Sequence, residues 1–439
     1  MKIGYVTFGR DDFGYAMSYV LHKSGIKAKR ASMKSAKHFD ILLFSCFWWA
    51  HVYEFVGFCI KAGIGYKKKT PRIIVGGFNS FNPWVFLPWA HQVVVGDGED
   101  VLLAAINEEF HPSIFTGIEK QVVYNHASIK NNDFVYKSGT ISRIEIARGC
   151  KYKCPYCQLT YLKKYREASL ESVQSAIDKV KTKRVALFAP CGMSHKNYKE
   201  ISEYVKEKGL VNIASDVRYN EIEKYNNNNT ARMGIEGLSY KLRKSVTKPI
   251  TNKKFVEIIE NRSNKCREIG YKPSIHTYFI LDLPGEKEED WVEFEELLAM
   301  VNGIKGVEDL TWIITANVFM PCPHTPFENK EIHLDRDYNV IWRHVMSDRW
   351  RKNKFKFTVA GRHSIFSPYS RLLSMIATRG GPESAEIIYN IVNNKRLKRL
   401  FVGKWEASLK ALSRFLKNYG GIEMYTKEPK KKPWEIVKL

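Results

Sequence analysis

The sequence predicts an α/β protein: an N-terminal doubly wound parallel sheet, then a partial (β/α)6 barrel, then a basic, mainly helical C-terminal region. Three observations predict it. Short, nearly continuous apolar runs of strand length recur between segments of helical spacing, which is how strands buried on both faces read. Several of these runs end in glycine. The charge is uneven along the 439 residues: the net charge is +24, and residues 331–439 hold 23 Lys and Arg against 10 Asp and Glu. The expected divisions are 1–110 for the first sheet, 111–140 for a connector, 141–332 for the barrel and 333–439 for the basic region.

The elements follow in order. KIGYVTF is a strand, 11–23 a helix, IKAKRAS and DILLFSCF the next strands, 50–62 a helix, and RIIVGGF and QVVVGD the last strands of the first sheet. GEDVLLAAINEEF opens a helix directly after them. Gly76, Gly77, Gly96 and Gly98 fall at strand C-terminal ends. A doubly wound sheet binds its ligand there, and glycine lets backbone come close. The same glycines also serve tight turns. From residue 141, RIEIARG, RVALFAP, VNIASDV, ARMGIEG, IHTYFILDLPG and LTWIITANVFMP give six strands at helix-separated intervals. In such barrels the chemistry sits at the strand C-terminal ends.

The most informative segment follows the first barrel strand. Cys150, Cys154 and Cys157 form a C-x3-C-x2-C array within eight residues. Three thiolates in one short loop suit an iron–sulfur cluster, and three ligands on a four-iron cube leave one iron open. A zinc site would want a fourth Cys or His at its own spacing, and none is present. Cys46, Cys59, Cys191, Cys266 and Cys322 are scattered in apolar settings and read as small core residues. They form no disulfide framework, so a reducing, cytoplasmic setting is expected. The chain opens on a strand rather than a signal peptide, and its longest apolar stretch, near 41–50, is too short to span a bilayer.

The cysteine array, with Tyr156 just before the third cysteine, resembles the signature of the radical S-adenosylmethionine (SAM) superfamily. The resemblance runs from about 143 to 327. It implies a [4Fe–4S] cluster whose open iron binds the amine and carboxylate of SAM, an electron donor such as flavodoxin or ferredoxin, and cleavage of SAM to a 5′-deoxyadenosyl radical. It implies roles for particular residues. Tyr156 lies beside the adenine. The turn holding Gly192 takes the place of a glycine-rich SAM-amine turn, with Ala189-Pro190-Cys191-Gly192 departing from the usual Gly-Gly-Glu. Ser215 and Arg218 end the third strand, where an arginine pairs with the SAM carboxylate. Glu236 lies near the SAM amine or ribose, or pairs with Lys248. FMPCPHTPF stands where Pro-x-Pro-Gly-Thr-Pro is usual, with His324 in place of the glycine.

Residues 1–110 resemble the cobalamin-binding-type Rossmann-like domain that precedes many such barrels. The resemblance makes cobalamin a candidate cofactor, with Gly76, Gly77, Gly96 and Gly98 at its binding edge. The turn after the first strand, FGRDDFGYA, holds no histidine to ligate cobalt. The charge points to a polyanionic partner, nucleic acid first. Lys395, Arg396, Lys398 and Arg399 with Phe401, Trp405, Phe415 and Tyr419 have the mixture a nucleic-acid groove uses. The same pattern fits an amphipathic helix with aromatics inward and lysines outward. The expected function is radical modification of a carbon in a nucleic acid or nucleotide-derived target. The alternatives are cobalamin-dependent methylation of a small molecule, cofactor or lipid precursor, and a non-catalytic iron–sulfur redox sensor.

Overall fold

A computed structural model describes residues 1–8, 15–65, 70–129, 135–213, 217–224, 230–336, 338, 353–359, 367–394 and 405–439. The first sheet is built on β1 (Ile3–Thr7), β2 (Ala28–Arg30), β3 (Ile41–Ser45), β4 (Arg72–Gly76), β5 (Gln92–Val94) and β6 (Ile114–Phe115), in the order β2-β1-β3-β4-β5-β6. All pairings are parallel except β5 with β6. β3 sits between β1 and β4, and its five residues are all buried. A run apolar at every position, ILLFS apart from its last residue, is what a strand covered on both faces requires.

Helix α1 (Tyr15–Lys23) and helix α3 (Leu102–Asn107) cover one face, where Val20, Leu43, Ile74 and Ile106 share a core. Helix α2 (Trp49–Ala62) covers the other. There Val52, Phe55 and Val56 pack with Leu372, Ile376, Ile387 and Ile391. The last four belong to the helices Pro368–Arg379 and Ser384–Asn393, so the basic C-terminal part of the chain returns to complete the N-terminal layer.

The six strands expected from residue 141 onward all form. They are β9 (Ile141–Glu145), β12 (Arg184–Phe188), β13 (Val211–Asn212), β14 (Ala231–Glu236), β15 (Ser274–Leu281) and β16 (Thr311–Val318). They lie in two four-stranded sheets, β13-β12-β9-β8 and β14-β15-β16-β17, where β8 is Tyr136–Ser138 and β17 is Lys356–Val359. Among the described residues no strand pairing closes the two sheets into one barrel. Ile213 N donates to Val185 O, and Val217 N donates to Arg232 O, so the chain leaves one sheet and meets the other across 214–216, which lie outside the described residues.

Two features depart from the sequence expectation. β17 pairs in parallel with β16 from within the segment expected to be mainly helical. Its KFTV run is too short to stand out against the surrounding charge. The end of the chain also falls in the segment expected to be mainly helical. Instead Trp434 is fully buried, Lys432 pairs with Glu328, and a last strand, β18 (Val437–Lys438), pairs with β7 (Val122–Val123). No helix among the described residues is long and apolar enough to cross a membrane.

Candidate active site

The cysteine loop is pinched at its base. After β9 the chain forms β10 (Ala147–Arg148), which pairs antiparallel with β11 (Arg166–Glu167). Gly149 begins the loop at φ +73°, and a Cβ there would lie 2.5 Å from Lys163 O, so only glycine fits. Inside the loop, Thr160 Oγ1 lies 2.8 Å from Cys150 O and 2.7 Å from Tyr152 O, and Cys157 N donates to Cys154 O. Cys157 then leads into helix α4 (Gln158–Leu162). Cys154 is buried; Cys150 and Cys157 are half-buried.

Burial pushes the Cys150 thiol up and the Cys157 thiol up to about 11, and each is raised further by the neighbouring cysteines. Three thiols in one short loop are the donor set a [4Fe–4S] cluster takes. Among the described residues no three His, Cys, Asp or Glu side chains gather as a single metal ion needs. A cube asks for less closure, because each thiolate meets a different iron.

The other expected residues surround the loop to different degrees. Arg218 Nη1 lies 3.8 Å from Cys154 Sγ, its Cζ stands 3.9 Å above the Tyr152 ring, and its Nη2 donates to Thr247 O at 2.5 Å. Arg218 Nε is buried with no partner among the described residues. Thr247 Oγ1 lies 3.5 Å from Cys154 Sγ. Glu236 is buried at the end of β14 with φ +71°, and Lys248 Nζ meets it at 2.5 Å. Of the two readings for Glu236, the Lys248 pair is thus formed.

Tyr156 packs against the same core, and burial, then the Glu236 charge, hold its phenol protonated. Gly192 begins a buried 3-10 turn, Gly192–Ser194. Ser215 lies outside the described residues. His324 has φ +62° in place of the usual glycine, and burial lowers its pKa to about 4.

Sequence reasoning missed a polar group beside this turn. Ser194 Oγ donates to Glu221 Oε2 at 2.5 Å and lies 3.2 Å from Tyr152 OH, and Cys191 Sγ lies 3.0 Å from Ser194 Oγ. Nothing in the local pattern marks Ser194 or Thr247. Tyr152 carried a signal, as an aromatic inside the cysteine loop.

Gly76, Gly77, Gly96 and Gly98 are brought together around a cavity of about 400 Å³ that also meets Ala147, Arg148 and Gly149. Gly77 and Gly96 have φ +107° and +94°, and a Cβ on either would strike the backbone of Cys46 or Asn125. Their tight-turn role is therefore present beside the cavity-lining one. Glu99 joins a buried ion network, with Oε1 2.6 Å from Arg148 Nη2. Arg148 also meets Glu145 at 2.6 Å and Asp97 at 3.2 Å. Lys163 and Arg166 meet Asp97 as well. Burial alone would raise the Asp97 carboxyl, but Lys163, Arg148 and Arg166 hold it well below the usual carboxylate range. This network joins the edge of the first sheet to the base of the cysteine loop.

In the basic region, Lys395, Arg396, Lys398, Arg399, Phe401 and the Trp405 side chain lie outside the described residues. Phe415 and Tyr419 pack against the second core and against each other, centroids 5.3 Å apart, as the amphipathic-helix reading expects.

The comparisons with known proteins define the class of one segment. Residues 144–298 match the model of the Radical SAM superfamily, so the chain carries a domain of that superfamily. The superfamily implies a [4Fe–4S] cluster and SAM. No curated protein matches the chain. Among solved structures, Streptococcus suis SuiB is similar with a TM-score of 0.32 and 13% identity over 53% of this chain and 51% of SuiB. SuiB bound to S-adenosylmethionine gives 0.32 and 11% over 53% and 52%. SuiB bound to precursor peptide SuiA gives 0.34 and 11% over 62% and 66%. The chain spans about half the length of the first two, and likeness of this degree carries no argument about substrate.

Proposed function

We propose that this chain is a radical SAM enzyme in which Cys150, Cys154 and Cys157 hold a [4Fe–4S] cluster beside bound SAM. The observation that carries the reading is the three-cysteine loop within a radical SAM superfamily domain, with Arg218 set against Cys154. When bound, the cluster and SAM supply reductive cleavage to a 5′-deoxyadenosyl radical that removes a hydrogen from a substrate carbon, with the electron coming from a donor such as flavodoxin or ferredoxin.

The chain's own residues bind and orient. Arg218 offers a guanidinium with an unused Nε to the SAM carboxylate, and stacking on Tyr152 fixes its plane. Glu236, paired with Lys248, offers an acceptor to the SAM amine or ribose. Tyr156 feels the Glu236 charge, and Ser194 of the Gly192–Ser194 turn lies 3.2 Å from Tyr152 OH. Intact SAM-facing groups of this kind support catalysis over a sensor role, which needs none of them.

The sheet order and the cavity at its edge support a Rossmann-like N-terminal domain. They fit cobalamin poorly. A cavity of about 400 Å³ suits a drug-sized molecule, not a corrin with its nucleotide tail. The net charge of +24 is the observation that favours a nucleic acid or nucleotide-derived target. Its test is RNA retention across a salt series, which should weaken steeply as salt rises.

The reading itself is tested by anaerobic reconstitution. The full chain should retain about four irons with broad charge-transfer absorption. A variant with all three cysteines changed to Ala should retain none. Equal iron in both would place the cluster, if any, on other ligands.

A further inference from the structure

We propose that the open face of the sheet formed by β14, β15 and β16 holds the substrate as a nucleotide unit, its base against His276 and Tyr278 and its phosphate on Arg232. The inference rests on the proposed function for the reaction that follows, and on this face alone for the binding. Alternate residues of a strand point to opposite faces. Met233, Ile235, Phe279, Trp312 and Ile314 are buried in one core. The opposite set is polar and reachable: Arg232 and Asn317 are exposed, and Gly234, His276, Tyr278 and Thr315 are half-buried. Parallel strands are ordinarily covered on both faces, so an accessible polar face on such a sheet has room for a ligand.

This face leads to the cysteine loop. Arg232 pairs in register with His276, while Gly234, Tyr278 and Thr315 share the next row. The Glu236–Lys248 pair lies over Gly234, where a Cβ would strike Glu236 Oε1, and Lys248 Nζ donates to Gly234 O at 2.9 Å. Glu236 is also hydrogen-bonded to Tyr156, the residue before Cys157. Arg232 stands two residues back along β14, roughly 6–7 Å from Gly234. A phosphate on Arg232 therefore leaves its sugar and base near the groups that face SAM.

The charges on this face select one anionic group. Lys248 is taken by Glu236 at 2.5 Å. Burial, and then the Arg232 charge, lower the His276 pKa, so its ring adds no charge near neutral pH. Its Nε2 lies 2.8 Å from Thr315 Oγ1. Arg232 is exposed, and no carboxylate among the described residues pairs with it. A guanidinium of this kind matches phosphate oxygens two at a time. Beside it the His276 and Tyr278 rings are already stacked, centroids 4.5 Å apart and planes 27° apart. A base extends such a stack.

The test titrates the full chain, after anaerobic reconstitution and with excess SAM, so that the SAM site is filled. The probes are uridine and cytidine 5′-monophosphate, their nucleosides, ribose 5-phosphate, and the dinucleotide UpU, which carries its phosphate as a polymer does. The tighter binder among the monophosphates and UpU should exceed both the nucleosides and ribose 5-phosphate about tenfold. Whether that binder is free nucleotide or dinucleotide tells which source supplies the unit, and either supports the proposal. Arg232→Gln, at an exposed position, should bring its affinity down to the nucleoside's. Tyr278→Ala should remove its advantage over ribose 5-phosphate. Equal binding of nucleotide and nucleoside, a phosphate preference that survives Arg232→Gln, or no nucleotide binding by the wild-type chain overturns the proposal. Release of 5′-deoxyadenosine by a chain that fails this titration would leave the radical reading standing. A chain that passes it and releases none would sink the radical reading alone.

Discussion

Arg218 shows how much a single side chain can be asked to do. It stacks on Tyr152, bonds Thr247 O and lies beside Cys154, while Nε has no partner among the described residues. If it pairs with the SAM carboxylate, Arg218→Ala should weaken SAM binding by roughly 1.5–3 kcal/mol in equilibrium dialysis. Arg218→Lys should recover only part, because an ammonium cannot make the two-pronged pair. Unchanged affinity in the Ala variant would move the carboxylate contact elsewhere.

Glu286 makes a second residue-scale case. Burial, and then the Asp282 charge, push its carboxyl from 4.5 up to about 7, although Leu283 N donates to it. Between those values the folded chain binds more protons than the unfolded one, so this group's contribution to stability falls as pH rises through the window and is fully lost above it. Glu286→Gln should therefore gain on the native chain from pH 4.5 to pH 8, by up to about 3 kcal/mol. Urea unfolding at several pH values checks this, and parallel curves would contradict it. The nearness of Arg218 to the cysteine loop and the Glu236–Lys248 pair were readable because these residues fall in short sequence patterns. Thr247 and Ser194 were not, because their positions depend on how distant loops meet.

Among the elements, the last seven residues act as a strap. Trp434 is fully buried, its Nε1 donates to Glu328 Oε2 at 3.1 Å, Trp84 Nε1 donates to Pro433 O, and β18 pairs with β7. Trp434→Ala should cost about 3–5 kcal/mol in denaturant unfolding, as for other buried indoles. A loss below about 1 kcal/mol would mean that the strap does not hold in solution. The strands of both halves were readable as apolar runs between helical segments. The strap was not, since a lysine-rich tail reads as solvated until its one tryptophan meets Arg379 and Glu328, far earlier in the chain. Nor was the return of the helices Pro368–Arg379 and Ser384–Asn393 to the N-terminal sheet, which is long-range packing between two amphipathic surfaces.

Across the whole molecule, Arg148 joins the two halves. It ties the Gly96–Glu99 loop to the strand that starts the cysteine loop, so the cavity and the candidate radical site share one wall. The mixed α/β class with parallel sheets was readable from alternation alone. The joining of the two halves was not, because no local pattern tells Asp97 which cations it will meet. What remains is whether the shared wall serves radical chemistry. The full chain, reconstituted anaerobically with iron and sulfide, should release 5′-deoxyadenosine from SAM when dithionite is added, slowly even without substrate. The variant lacking Cys150, Cys154 and Cys157 should release none. A wild-type chain that carries its cluster and binds SAM, yet yields no 5′-deoxyadenosine above that variant, would contradict the radical SAM account.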